Sequence, residues 1–209
     1  MNDLQGNQEW RAARLGKVTA SRIADVVAKT KSGYGAGRAN YMGELIVERL
    51  TGAPTDSYVN AAMQWGTNTE PQARAAYEVK KGEFVDLSGF VPHPTIANSG
   101  ASPDGLIGED GLIEIKCPNT STHIETLLGG NIPAKYMIQM QWQMACTGRK
   151  WCDFVSFDPR MPEEMRLFVR RLERNDEWIV ELEKEVSKFL EELGEKQKAL
   201  TELAKENAL

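Results

Sequence analysis

Histidine, cysteine and long apolar runs are all scarce in this chain of 209 residues. Only two histidines occur, His93 and His123. That argues against a His-rich zinc site and against a Ser-His-Asp triad. Chemistry must then rest on carboxylates, lysine, arginine and hydroxyls. The three cysteines, Cys117, Cys146 and Cys152, form no CxxC pair and leave an odd number. A disulfide scaffold is therefore not expected, and a reducing cytoplasm is the natural setting. No run of about eighteen apolar residues is present, so no membrane span is expected. The stretch from Met1 to Gln5 has neither a basic region nor an apolar one, so no signal peptide is read there.

What is present is ordinary for a globular protein: 41% hydrophobic and 26% charged residues. The length suits one α/β domain over 1–209, with an acidic amphipathic helix over 176–209 as a C-terminal extension. The net charge of -5 hides a strong asymmetry. Residues 176–209 hold ten Asp or Glu and five Lys, and the remaining residues balance. Between 10 and 38, seven cations (Arg11, Arg14, Lys17, Arg22, Lys29, Lys31 and Arg38) face Asp25 alone. A local basic patch suffices to hold phosphates, because the field at the site decides and not the total.

Thr19, Ala20 and Ser21 ahead of Ile23, Val26 and Val27 predict a capped helix start. Lys29 to Arg38, with three glycines and three cations, predicts a mobile surface loop. Helices are expected over 39–50, closed by Gly52, and over about 69–80, with Pro71 in the first turn. Strands are expected over 83–91, 96–102 and 112–117, the last preceded by a turn at Gly108 to Gly111. Helical pattern returns over 121–129 and 134–147, strand pattern near 151–157 and 165–172. Over 176–206, Trp178, Leu182, Val186, Phe189, Leu190 and Leu193 form one apolar stripe. The sum is an α/β fold, a central mixed sheet flanked by helices with a long C-terminal helix.

One stretch concentrates the chemistry. Asp104 ends one strand, and Glu114 and Lys116 lie on the next, after the turn. Strand side chains alternate, so Glu114 and Lys116 share a face while Ile113 and Ile115 point into the core. The turn returns Glu114 towards Asp104. Two carboxylates this close repel unless a cation lies between them, and hard oxygen ligands suit Mg²⁺, with Mn²⁺ as the alternative. Beside a divalent ion, Lys116 would have its pKa lowered, and it could orient or deprotonate the attacking water. This is equipment for phosphodiester hydrolysis. The plain alternative is a surface hairpin with a Glu–Lys ladder pair.

Pro103 and Asp104 followed by Glu114, Ile115 and Lys116 resemble the PD-(D/E)xK nuclease superfamily. The flanking residues resemble the phage lambda exonuclease-like (YqaJ) family of viral recombination exonucleases. The matching pieces run in family order over about residues 10–175. They are Trp10, Arg14, Leu15 and Gly16, then Thr19 to Ser21, Thr51 and Gly52, and Trp65, Gly66 and Glu70. Further on come Ser102 to Gly105, Glu114 to Pro118, Tyr136 and Met137 with Gln139 and Gln141, and Asp158 to Met161. The resemblance implies a restriction-endonuclease-like core. It implies digestion of one strand of duplex DNA from its 5′ end, leaving a 3′ tail for a single-strand annealing protein. A ring-shaped homotrimer threaded by DNA is also implied, with no membrane involvement, in the host cytoplasm if the chain is phage-encoded.

Residue roles follow from the same resemblance. Asp104, Glu114 and the Ile115 carbonyl are expected to bind the metal, Lys116 to act on water, and Glu70 to be a further acidic member. Arg14, Ser21 and Ser102 match a pocket for the DNA 5′-phosphate; Ser21 could equally be a helix cap. Lys31 matches a minor-groove cation, and Met63 an apolar wedge at the end base pair. Gln139 and Gln141 are two apart on a helix, so one is expected to support the site; Gln141 is also a candidate DNA contact. Thr122 departs from the pattern, standing where the best-known member has arginine. Two other readings are open. One is a different PD-(D/E)xK nuclease, an endonuclease or a RecB-like enzyme. Three cysteines rule against the latter's iron–sulfur subset, which needs four. The other is a non-catalytic DNA-end-binding module, which would be expected to have lost an acid or the lysine.

Overall fold

The structure is a computed structural model, and it describes residues 5–55 and 61–207. Residues 1–4, on which the reading of the N-terminus rests, lie outside it. Its main sheet has four strands in the order β6 (Gly105–Ile107), β7 (Gly111–Lys116), β8 (Trp151–Phe157) and β9 (Leu167–Glu173). β7 runs antiparallel to β6 and parallel to β8, and β9 is antiparallel to β8, so the sheet is mixed. A smaller sheet orders β1 (Val18–Thr19), β5 (Ser99–Ala101) and β4 (Val91–Pro92), with β1 parallel to β5.

Alternation on β7 assigns each face of the main sheet its own helix. Ile113 and Ile115, with Val155 and Phe157 of β8, pack against Ala73 and Tyr77 of α4 (Ala61–Lys81). Leu112, with Cys152 and Phe154, packs against Met140 and Met144 of α6 (Ala134–Thr147). Glu114 and Lys116 share this second face, so they lie under α6 and not towards open solvent. α6 is buried all round from Gln139 to Cys146 and also contributes Trp142 to a further core. That core joins α2 (Ile23–Val27), α3 (Ala36–Thr51) and α7 (Asp176–Glu206). In α7 the residues Ile179, Leu182, Val186, Phe189 and Leu193 are buried, so the apolar stripe packs within the chain. The remaining α-helices are α1 (Gln8–Arg14) and α5 (Thr120–Gly129). No helix among the described residues is long and apolar enough to cross a membrane.

Three expectations need correction. The basic segment is no free loop: β2 (Lys29–Thr30) and β3 (Gly33–Tyr34) form an antiparallel hairpin. It is tied to α7, where Glu185 accepts from Lys29 Nζ at 2.7 Å and from Tyr34 Oη at 2.6 Å. Arg38 lies buried beyond the hairpin, ion-paired with Glu192. The span 83–91 forms no continuous strand; only Asp86 bridges to Leu106 before β4 begins. α4 begins earlier than predicted, at Ala61, so Pro71 lies inside the helix and not in its first turn. Elsewhere α6 and β8 span the predicted residues, and Gly52 closes α3 in the left-handed conformation with φ 69°.

Candidate active site

β6 ends its pairing at Gly105, opposite Ile113. Asp104, one residue earlier, carries on the ladder with its side chain: Oδ2 accepts from the Ile115 N–H at 2.7 Å. In an extended strand a residue's N–H and C=O point to the same side, so the Ile115 carbonyl faces the Asp104 edge as well. Glycine follows Asp104 because there is no room for anything larger. A Cβ at Gly105 would collide with the Val85 side chain and stand 3.1 Å from Ile113 Cγ2 and 3.2 Å from the Asp86 carbonyl.

Glu114 is fully buried, and its carboxylate is gripped from α6. Gln139 Nε2 donates to Oε1 at 2.7 Å and Gln143 Nε2 to Oε2 at 2.6 Å. Lys116 Nζ also pairs with Oε1. The ammonium lies 5.0 Å from the centre of the Tyr136 ring, a further stabilising contact. Burial, then the nearby Glu114 charge, drives the Asp104 carboxyl well above its usual range; Lys116 offsets this and Glu70 adds to it. For Lys116, burial pulls downward, but Glu114 and Asp104 outweigh it and hold the ammonium above the ordinary lysine value. The lowered value was expected beside a divalent ion; with the protein's own charges alone, the carboxylates dominate.

Glu70, on α4, acts on Asp104 through charge, while its Oε1 accepts from Arg74 at 2.7 Å. Among the described residues no three His, Cys, Asp or Glu side chains converge tightly enough to enclose an ion. What converges is Asp104, Glu114 and the Ile115 carbonyl, with Asp104 Oδ1 accepting no hydrogen bond among the described residues. Such an open set of hard oxygens suits magnesium, which keeps several waters and takes one or two carboxylates plus substrate phosphate.

The second cluster lies where the two sheets adjoin. β1 runs parallel to β5 with Thr19 beside Gly100, so Ser21 and Ser102, each two residues further on, leave at the same end. Arg14 Nη1 donates to Ser102 Oγ at 3.2 Å, and Trp10 Nε1 donates to the same oxygen at 3.0 Å. The Arg14 guanidinium stacks on the Trp10 ring at 4.2 Å. It has no carboxylate partner among the described residues. Burial lowers its pKa, with partial compensation from Tyr41 and Glu48. A guanidinium desolvated without an anion is prepared to receive one. Ser21 does not cap α2; it is exposed, with Oγ 3.4 Å from Thr19 Oγ1. Ser102 lies two residues from Asp104, so chain connectivity alone joins this pocket to the carboxylates.

The remaining candidates are scattered. Lys31 is exposed at the tip of the β2–β3 hairpin, with no contact to the carboxylates. Met63 is 51% exposed near the start of α4, so it is no core methionine. Gln141 is corrected outright as a DNA contact. It is buried, its Nε2 donates to the Glu173 carbonyl at 2.9 Å, and its Oε1 accepts from Asn175 N at 3.0 Å. Cys117 is inert, its thiol pushed up to about 12 by burial and by Glu70 and Asp104. Thr122 is exposed on α5.

Sequence reasoning missed Gln143, although its four-residue spacing from Gln139 was a usable signal. It also assigned no role to Arg160. That guanidinium clasps the buried Asp158 through Nε at 2.7 Å and Nη2 at 3.0 Å and lies 4.4 Å over the Trp65 ring. The end of β8 is thereby fastened to the start of α4.

A mixed sheet delivering two carboxylates and a lysine from adjoining strands is the arrangement of the PD-(D/E)xK nuclease class. Within that class the chain belongs to the YqaJ-like viral recombinase family, whose domain matches residues 9–150. An alkaline exonuclease, LHK-Exo, from Laribacter hongkongensis is 56% identical, with TM-score 0.90 over 96% of this chain and 99% of that one. A structure of LHK-Exo in complex with dAMP matches at 57% identity, TM-score 0.90 and the same coverage. A phage-related exonuclease from Haemophilus somnus 129PT shares the fold at 17% identity, with TM-score 0.68 over 90% of this chain and 96% of that one. A comparison with curated proteins finds no significant match.

Proposed function

We propose that this chain is a magnesium-dependent 5′–3′ exonuclease that digests one strand of duplex DNA from a 5′-phosphorylated end. The product is a 3′ single-stranded tail for an annealing protein, and the working form is a homotrimeric ring around the duplex. Family membership and the 56% identity to an alkaline exonuclease support a nuclease of this class. The observation that supports an end-reading enzyme is the adjacency of two built features. The carbonyl-flanked carboxylate pair and the carboxylate-free Arg14 pocket are two residues apart at Ser102 and Asp104.

Asp104, Glu114 and the Ile115 carbonyl would hold magnesium, which when bound supplies charge neutralisation at the phosphodiester and acidity to water. With the protein's own charges alone Lys116 is held as an ammonium, placed to donate to and orient the attacking water. Gln139 keeps the Glu114 carboxylate turned to the site. Arg14, Ser21 and Ser102 offer donors that would fix the terminal phosphate and so set where cleavage falls. The dAMP complex of the 56–57% identical relative is in keeping with a nucleotide-sized product.

The test compares linear duplexes ending in 5′-phosphate or 5′-hydroxyl with closed circles, with magnesium and with chelator. Nucleotide release from the 5′-phosphorylated linear form alone, abolished by chelator, is the expected result. Cutting of circles would favour an endonuclease, and binding without release a non-catalytic module. Sizing of the purified protein should give a trimer; a monomer-sized species counts against the ring.

A further inference from the structure

Three glutamines lie on the fully buried stretch of α6, at 139, 141 and 143. An amide buried without partners is destabilising at both its ends, so the bonds it makes reveal its task. Gln141 bonds only to backbone, at Glu173 and Asn175, and serves the fold. Gln139 and Gln143, four apart, share the opposite use: each gives one N–H to one oxygen of Glu114. One donor per oxygen fixes both the position and the plane of the carboxylate.

The two oxygens are not equivalent. Oε1 already accepts from Gln139 and from Lys116, whereas among the described residues Oε2 accepts from Gln143 alone. Oε2 therefore retains a lone pair, and Gln143 determines where it points. The Gln143 amide is itself oriented: its carbonyl oxygen lies 3.9 Å from the Cys152 thiol, which donates to it from β8. This leaves the NH₂ end to face Glu114. A relay thus runs from β8 through α6 to the carboxylate on β7.

We propose that Gln143 is a positioning residue that sets the direction of Glu114 Oε2 towards a divalent cation, and so tunes metal affinity at this site. The proposal rests on the metal-dependent reading above. Loss of such a supporting partner weakens metal binding by about 10–100-fold. Q143M keeps the side-chain length and removes the donor; Q141M, on the same buried helix, serves as the structural control.

Mn²⁺ binding is measured by calorimetry without DNA, alongside the metal concentration giving half-maximal activity and the melting temperature. Q143M should weaken Mn²⁺ binding about tenfold and raise the half-maximal concentration by a similar factor. Q141M should lower the melting temperature and leave Mn²⁺ affinity within about twofold of wild type, since its amide touches no ligand. Wild-type Mn²⁺ affinity in folded Q143M overturns the proposal and leaves the proposed function intact. A wild-type protein that neither binds Mn²⁺ nor degrades DNA overturns both. If Q143M does not fold, side-chain amide resonances of the wild-type protein decide. Mg²⁺ should shift those of Gln143 and spare Gln141, and an unmoved Gln143 resonance overturns the proposal.

Discussion

Replacing Lys116 by methionine separates the charge argument from the catalytic one. Lys116 is the ammonium paired with Glu114, and the Glu114 and Asp104 carboxylates both act on its charge. Methionine preserves most of the aliphatic stem and removes that charge. Breaking a buried pair by deleting one partner costs about 3–5 kcal/mol. The Lys116 side chain is 28% exposed, so water screens part of the loss and the lower end, about 3 kcal/mol, is expected. In a domain of this size each kcal/mol shifts the melting temperature by about 2–4 °C, giving a fall of about 6–12 °C for the metal-free protein. Removing the ammonium also removes repulsion towards a divalent cation. The variant should therefore gain more from Mn²⁺ than wild type does, and the gap should narrow on titration. Binding to DNA ends should persist while hydrolysis falls about 10²–10⁴-fold. Melting curves with and without Mn²⁺, together with release of nucleotides from a linear duplex, read both effects. A metal-free melting temperature within about 2 °C of wild type would refute the charge compensation, and near-normal turnover would refute the catalytic role.

Asp104→Asn should stabilise the metal-free protein by about 1 kcal/mol while abolishing activity, because it relieves carboxylate repulsion and retains an acceptor for Ile115 N. A lower metal-free melting temperature in that variant would contradict the repulsion. Gly105→Ala should destabilise by about 1–3 kcal/mol through the collision with Val85 and should also lower activity, since Asp104 must shift; urea midpoints unchanged from wild type would sink this. Burial holds His93 below the ordinary value of about 6.5, with Glu183 offsetting part of the effect. The unfolded chain then binds the extra proton. The stabilisation is full above about pH 6.5 and is lost as pH falls towards the depressed native value. Urea midpoints at pH 7.5 and 5.5 should therefore fall more in wild type than in His93→Gln, and equal falls would discredit the assignment.

The hairpin carrying Asp104, Glu114 and Lys116 was legible because its signals are local. Alternation over Ile113 to Lys116 and a glycine-bounded turn define one strand pair, and a period of two assigns the faces without tertiary knowledge. The same rule did not reveal that the polar face would be buried, since that depends on α6 arriving from some twenty residues further on. Burial turns Glu114 and Lys116 from a ladder pair into a tightly coupled charge cluster. The basic segment failed for the converse reason. Glycines and cations describe a loop locally, but Glu185, more than 150 residues away, supplies the acceptor that docks the hairpin. Likewise 83–91 has strand-favouring residues but finds only one bridging partner, at Leu106.

Gln143 shows what kind of information was missing. Its spacing from Gln139 places both on one side of a helix, yet spacing alone cannot separate two core amides from two ligand supports. The distinction comes from what lies opposite. Gln141 faces backbone groups that any fold must satisfy, whereas Gln139 and Gln143 face a carboxylate that could have been apolar. A buried charge is expensive to retain, and replacing such groups by well-packed apolar residues is often stabilising. Two buried amides and an ammonium devoted to one such carboxylate therefore point to a demand that stability does not impose. The Arg14 pocket repeats the logic with the opposite sign: a guanidinium stacked on Trp10 with no carboxylate partner among the described residues. On the proposed function the two needs are complementary: Asp104 and Glu114 share a single ammonium, Lys116, and would take a cation, while Arg14 would take a phosphate. A DNA end brought in with its counter-cation would supply both at once, and on that proposal the two clusters form one site.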